Sequence, residues 1–66
     1  MEAKEVWVDR NEAERVRVAI NEFNDKWFVD VRTYYQADNE EWRPTKKGVN
    51  LPIEKLDELK EAIAKL

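Results

Sequence analysis

Residues 23–48 read FNDKWFVDVRTYYQADNEEWRPTKKG, and this stretch contains the strongest strand and turn signals of the chain. Residues 26–36 are rich in aromatic and β-branched side chains, which favours a β-strand. The pair Asn24-Asp25 immediately before this strand tolerates positive φ angles and therefore predicts a tight turn. A tight turn at this position predicts that the residues before position 24 form an antiparallel partner strand.

Three further segments extend this strand into a sheet. Residues 15–23 alternate apolar and polar side chains, residues 5–8 form a short strand-like run, and residues 41–49 follow a polar turn at 37–40. Pro44 lies within the last segment and predicts an edge, an irregularity or a break, because proline cannot donate to a strand ladder. Together the segments predict a meander of four antiparallel strands.

From Pro52 onward the sequence changes to a helical period. Apolar residues recur at every third or fourth position and form one stripe, consisting of Ile53, Leu56, Leu59, Ile63 and Leu66. Proline suits the first turn of a helix, where its missing N–H would have no partner. The predicted fold is therefore α+β, with one C-terminal helix on one face of a four-stranded antiparallel sheet. The other face must meet solvent, a ligand or a second subunit.

The composition restricts the class of function. The 66 residues form a single domain, 1–66, near the size at which one hydrophobic core is barely sufficient. Cysteine and histidine are absent, so the chain lacks the usual thiolate nucleophile, general base and zinc ligands. The acidic loop with Asp38, Glu40 and Glu41 has no histidine that could complete a metal or acid–base site. We therefore expect these carboxylates to be solvated. We expect a binding protein rather than an enzyme, with no metal site and no cofactor.

The charge distribution is uneven along the chain. The net charge of −3 argues against nucleic acid as a ligand, because domains that bind it are usually basic. However, Arg43, Lys46 and Lys47 fall together with no acid among them, and binding depends on the local field of a surface. The chain has no apolar run that could cross a bilayer and no recognisable signal peptide, so we expect an intracellular protein.

Aromatic rings and positive charges are interleaved throughout residues 23–48. Rings stack on unpaired bases, and neighbouring Lys or Arg side chains hold the phosphates, so the pattern favours single-stranded nucleic acid. Trp27 shares the parity of Val29 and Val31 and is expected beneath the helix. Tyr34 is expected to pack within the sheet or a dimer, and Trp7 at an edge.

Three spans, ERVRVAINEF (14–23), WFVDVRTYY (27–35) and WRPTKKGVNL (42–51), resemble the single-stranded-DNA-binding domain of the positive cofactor 4 family of transcriptional coactivators. The resemblance covers about residues 14–66. Its most specific pieces are VDVR followed by an aromatic pair, and the basic string that ends at Gly48. It implies a homodimer in which each subunit contributes a curved four-stranded antiparallel sheet and a C-terminal helix.

The resemblance also implies which residues contact the nucleic acid. Phe23 and Tyr35 correspond to stacking positions, and Lys26 to a lysine that contacts phosphate. The basic residues of the site are completed by Arg32 of the aspartate-x-arginine motif and by the cluster Arg43, Lys46 and Lys47. We expect the aromatic and basic side chains to converge on one exposed surface.

Some positions depart from the family pattern. Asn21 and Asn24 stand where members often have Arg and Lys, which predicts weaker binding with a flatter salt dependence. The predicted function is single-stranded DNA binding with little sequence preference, as a homodimer, in transcription regulation, replication or repair. The location would be the nucleus in a eukaryote and the cytoplasm or nucleoid in a microbe, with the transcription machinery as a further partner. The alternatives are single-stranded RNA binding, or an interaction or structural dimer that does not bind nucleic acid.

Overall fold

The computed structural model describes all residues, 1–66. The elements in chain order are β1 (Lys4–Asp9), β2 (Glu14–Phe23), β3 (Lys26–Gln36), β4 (Trp42–Pro52), a 3₁₀ turn (Ile53–Lys55) and α1 (Leu56–Ala64). The four strands form one antiparallel sheet in the order β1-β2-β3-β4. The meander followed by a C-terminal helix, predicted from the sequence, is confirmed.

The hairpin of β2 and β3 is the most regular part of the sheet. Its strands pair without interruption from Glu14–Tyr35 at one end to Phe23–Lys26 at the other. The connecting residues Asn24 and Asp25 have φ angles of 51° and 61°. Two positive φ angles at the central positions match the twist of the flanking strands, and Asn and Asp adopt them more readily than other non-glycine residues. The predicted tight turn is confirmed.

The pairing of β3 with β4 is interrupted once. Regular pairing ends at the pair Tyr34–Pro44 on one side of the interruption and begins again at the pair Arg32–Gly48 on the other. Between them the three residues 45–47 lie opposite the single residue Thr33. Extra residues of this kind form a bulge that bends the strand and redirects its side chains. We call Thr45, Lys46 and Lys47 the β4 bulge; the irregularity predicted at Pro44 is confirmed.

Gly48 allows the two strands to approach closely beside the β4 bulge. A Cβ atom at this position would lie 2.5 Å from the carbonyl oxygen of Val31 and 2.8 Å from the Cα of Arg32. Both of these are backbone atoms of β3, so neither can move aside without shifting the strand. Any side chain at position 48 would therefore separate the strands at the point where regular pairing begins again.

One face of the sheet is apolar and carries the helix. Cross-strand neighbours on this helix face include Val6, Val18, Val31 and Val49, which form one row across all four strands. Leu56 of α1 lines a cavity against Val18 and the adjacent row. The opposite face, which we call the open face, carries the side chains of alternate parity and is not covered by α1.

The hydrophobic core of one chain is very small. Only two hydrophobic residues, Ala19 and Val29, are buried. On the helix face Val6 remains 65% exposed, and on α1 Ile63 remains 58% exposed. Burial of apolar area is the main stabilising term for a folded chain, so a fold with this much exposed apolar surface is consistent with a second subunit.

The expectation that Trp27 is buried beneath the helix is wrong. Trp27 is half-buried and lines an open cavity of about 510 Å³ together with Phe28, Pro52 and Ile53. The reason is that α1 begins only at Leu56, after a 3₁₀ turn, and is nine residues long. The helix therefore leaves this corner of the sheet uncovered.

No helix of the chain has the length and apolar character needed to span a bilayer.

Replacing Gly48 with alanine is expected to destabilise the fold by about 1–3 kcal/mol, because the added methyl group overlaps the backbone of β3. Chemical denaturation at a fixed chain concentration measures the change. Lys46→Ala, on an exposed position of the same bulge, serves as the control and should change the free energy of unfolding by less than about 0.5 kcal/mol. Equal stability of Gly48→Ala and the wild type would contradict the close approach.

Candidate nucleic-acid interface

The turn end of the β2–β3 hairpin presents one aromatic ring and one free cation. Phe23 is 67% exposed, and its cross-strand neighbour is Lys26. Lys26 is also exposed and belongs to none of the six ion pairs of the chain. An exposed ring beside an unpaired ammonium group can stack on a base and bind the adjacent phosphate.

The opposite end of the hairpin presents a second ring. Tyr35 is 42% exposed and has Glu14 and Arg43 as its cross-strand neighbours. The guanidinium of Arg43 lies 3.3 Å from the carboxylate of Glu41, and both side chains are more than half exposed. Ion pairs this exposed contribute little to stability, so a phosphate group can displace Glu41 at low cost.

The two ends do not form one continuous surface within a single chain, so that expectation is wrong. Phe23 and the cross-strand neighbour of Tyr35, Glu14, lie nine residues apart on β2, or roughly 30 Å along an extended strand. An odd separation along a strand also places the two rings on opposite faces: Phe23 on the open face and Tyr35 on the helix face. Each chain therefore offers two separate patches.

The β4 bulge carries two further cations. Lys46 and Lys47 are exposed and have no ion-pair partner. Lys47 lines a shallow cavity of about 330 Å³ on the helix face, beside Val31 and Val49. Thr45, which precedes both lysines, fixes the backbone of the bulge: its hydroxyl donates to the Thr33 carbonyl oxygen at 2.8 Å and accepts the Lys47 N–H at 3.1 Å.

Arg32 is bound by three hydrogen bonds within the sheet. Its Nε and Nη2 donate to the two carboxylate oxygens of Asp30 at 3.1 Å, and its Nη1 donates to the Thr45 carbonyl oxygen at 3.0 Å. Its side chain is only 22% exposed. The hydrogen bonds and negative charge of Asp30 raise the pKa of Arg32 above its ordinary value. Of the seven residues predicted to contact nucleic acid, Arg32 is the one whose side chain is fixed by three hydrogen bonds.

The open face contains pairs of aromatic and arginine side chains that sequence reasoning missed. The guanidinium of Arg15 lies 4.4 Å from the ring centroid of Trp42, and Arg17 lies 5.9 Å from that of Tyr34. Trp7 meets Tyr34 edge to face at 5.0 Å. The sequence pattern could have predicted these pairs, because Arg15 and Arg17 alternate along β2 with the apolar residues that face the helix. The alternation places both arginines on the opposite face.

Each arginine of the open face has a carboxylate partner. The pairs are Arg15–Asp9, Arg17–Glu5 and Arg32–Asp30, at 3.1, 2.7 and 3.1 Å. The hydrogen bond from Arg17 is the main cause that lowers the pKa of Glu5 below its ordinary value. These pairs neutralise the centre of the open face. The unpaired positive charge of the predicted site lies instead at Lys26 and on the β4 bulge.

Comparison with known proteins gives one family and several related structures. The family model described as transcriptional coactivator p15 (PC4) matches residues 10–62. A bacteriophage T5 homologue of the eukaryotic coactivator, implicated in recombination-dependent DNA replication, is 27% identical with a TM-score of 0.84, covering 98% of this chain and 76% of that chain.

Two further solved structures share the fold. MoSub1, determined in complex with single-stranded DNA, is 28% identical with a TM-score of 0.65, covering 92% of this chain and 70% of that chain. A homologue from Burkholderia pseudomallei is 20% identical with a TM-score of 0.82, covering 89% of this chain and 80% of that chain. At that lower identity the likeness concerns the fold alone.

Proposed function

The chain belongs to the transcriptional coactivator p15 (PC4) family, and we propose that it binds single-stranded DNA with little sequence preference. The observation that carries the proposal is that Lys26, the cross-strand neighbour of the exposed Phe23, and Lys46 and Lys47 of the β4 bulge are exposed and have no ion-pair partner. Tyr35 adds a second exposed ring. A relative with the same fold, MoSub1, was solved with single-stranded DNA bound. The proposed activity is binding and includes no catalytic step.

The proposed mechanism has two parts. The free lysines attract the phosphate backbone, which releases counterions and makes the affinity depend on salt. Unpaired bases then stack on Phe23 and Tyr35, which is worth about 1–3 kcal/mol per base. Paired bases keep their faces within the duplex, so the protein should prefer single strands or melted regions.

We further propose that the active form is a homodimer. The exposed valines of the helix face, Ile63 of α1 and the C-terminal Leu66 form apolar surface that a partner of similar chemistry would bury. A second copy of the chain provides the same apolar face. A dimer also doubles the number of binding patches, so one strand of DNA can contact several of them and gain affinity through effective concentration.

The cellular role within this proposal is regulation of transcription, replication or repair, inside the cell. The family description supports transcription, and the bacteriophage T5 relative is implicated in DNA replication. The transcription machinery is a proposed further partner. The neutralised open face and the net charge of −3 favour the rival reading, an interaction dimer without nucleic-acid binding. Single-stranded RNA is the alternative ligand, because it presents the same bases and phosphates.

Reversing both lysines of the β4 bulge, with Lys46→Glu and Lys47→Glu together, is expected to weaken binding of labelled oligo-dT. If both lysines contact phosphates, the negative slope of log K against log salt should become shallower by about 1.4, since each phosphate contact on a single strand contributes about 0.7. Fluorescence anisotropy titrations at several salt concentrations measure both quantities. Single-stranded RNA and duplex DNA, titrated in parallel, separate the alternative ligands.

The matched control reverses the two exposed lysines that flank α1, Lys55→Glu with Lys65→Glu, and changes the net charge by the same amount. It should keep most of the salt slope of the wild type. An equal loss in both double variants would mean that net charge alone governs binding. Absence of binding to any single strand by the wild type would reject the proposed function in favour of the interaction dimer.

Light scattering during size-exclusion chromatography should give a mass of twice the 7.9 kDa of one chain. Val6→Glu with Val49→Glu should shift the protein to the mass of one chain, because the two carboxylates would be desolvated at the proposed interface. The control Glu2→Val leaves the sheet faces unchanged and should remain dimeric. A wild-type mass of one chain at micromolar concentration would contradict the proposed dimer.

A further inference from the structure

We propose that Arg32 is a positioning residue that holds the β4 bulge in shape, and that it is not itself a phosphate ligand. The inference rests on the proposed function, since it assigns the part that Arg32 plays in presenting Lys46 and Lys47 to DNA. It also revises the role that family resemblance implies for the arginine of the aspartate-x-arginine motif.

The guanidinium of Arg32 joins two separate parts of the sheet. On one side its Nε and Nη2 form a two-pronged contact with the carboxylate of Asp30, two residues earlier on β3. On the other side its Nη1 donates to the carbonyl oxygen of Thr45, the first residue of the bulge. The side chain therefore links β3 to the bulged part of β4, across the pair that Arg32 forms with Gly48.

Asp30 anchors this link from within the sheet. The residue is only 8% exposed, and one of its carboxylate oxygens also accepts a hydrogen bond from the side-chain amide of Asn50 at 3.2 Å. A buried carboxylate is stable only when it is paired and hydrogen-bonded. Arg32 supplies the charge that Asp30 requires, so both groups lose stabilisation if Arg32 turns toward a ligand.

The same contacts engage three of the five N–H groups of Arg32, which leaves one on Nη1 and one on Nη2. Arginine binds phosphate best through two parallel N–H groups on one edge of the guanidinium. The Nε–Nη2 edge of Arg32 is occupied by Asp30, and Nη1 is used by Thr45. By contrast, Lys46 and Lys47 have no ion-pair partner and remain exposed. The free charge is therefore on the bulge, and Arg32 determines where the bulge lies.

Replacing Asp30 with asparagine distinguishes the two roles because they predict changes of opposite sign. If Arg32 positions the bulge, Asp30→Asn breaks the anchor, and the affinity for labelled oligo-dT should fall by about tenfold. If Arg32 contacts phosphate, the same change removes the carboxylate that competes for its guanidinium, so binding should become tighter and the salt slope should be no flatter than that of the wild type. The second result would overturn the inference.

The control Asp38→Asn removes the same charge from an exposed side chain without a partner, and should alter the affinity by less than about twofold. Arg32→Lys provides an independent test, since it keeps the positive charge but cannot join Asp30 and Thr45 together. We expect weaker binding and a flatter salt slope for Arg32→Lys. Wild-type affinity and slope in this variant would contradict a positioning role. Circular dichroism establishes that each variant is folded.

A measurement without DNA separates this inference from the proposed function. The Lys47 amide donates to Thr45 Oγ1 inside the bulge, so its hydrogen exchange reports the order of the bulge. Exchange should be faster in Arg32→Lys than in the wild type, while the amide of buried Ala19 is unchanged. Unchanged exchange at Lys47 would overturn the inference even if the wild type binds DNA. Faster exchange in a protein that does not bind oligo-dT would uphold it and reject the proposed function.

If Asp30→Asn does not fold, Thr45→Val provides the corresponding comparison. Valine keeps the shape of the side chain but removes the hydroxyl that bonds Thr33 and the Lys47 amide, whereas Thr45→Ser keeps the hydroxyl. Weaker binding by Thr45→Val than by Thr45→Ser is expected if the order of the bulge controls affinity. Equal binding by the two variants would contradict this.

Discussion

The contact on which the proposed binding site depends is the close approach of Gly48 to the backbone of β3. A Cβ atom there would lie 2.5 Å from the Val31 carbonyl oxygen, so only glycine lets the strands rejoin directly after the bulge. Because they rejoin, the bulge is confined to three residues and projects two lysines from the sheet. The guanidinium of Arg32 then reaches the Thr45 carbonyl oxygen from the neighbouring strand. The close approach at Gly48 thus sets where regular pairing resumes, and with it the end of the bulge that carries Lys46 and Lys47.

The division of charge between the two faces has a physical consequence for binding. Arginines on the open face are used to neutralise carboxylates, and they stabilise the sheet through cation–π and ion-pair contacts with residues such as Trp42 and Glu5. Three of the six lysines without ion-pair partners, Lys26, Lys46 and Lys47, lie at the turn end of the hairpin and on the bulge. A chain with a net charge of −3 can therefore still offer positive patches to a phosphate backbone. The small core of one chain is consistent with the proposed dimer.

Much of the fold was predictable because its signals are local. The turn at Asn24-Asp25, the irregularity at Pro44 and the helical stripe each follow from the preferences of a few neighbouring residues. The failures concern tertiary geometry. The exposure of Trp27 depends on where α1 begins, and the 3₁₀ turn obscures that point. The separation of Phe23 from Tyr35 depends on the pairing register, in which an odd spacing on β2 reverses the face. The partners of Arg32 lie on two strands and have no sequence signature beyond Asp30.

The measurement that tests the central claim most directly is a titration of the isotopically labelled protein with oligo-dT, followed by amide chemical shifts. Binding at the hairpin ends and the bulge should shift the amides of residues 23–26, of Tyr35 and Arg43 and of residues 45–48, and should leave the solvent-facing amides of α1 nearly unchanged. Shifts confined to α1 or to β1, with the bulge and both hairpin ends unaffected, would contradict the account.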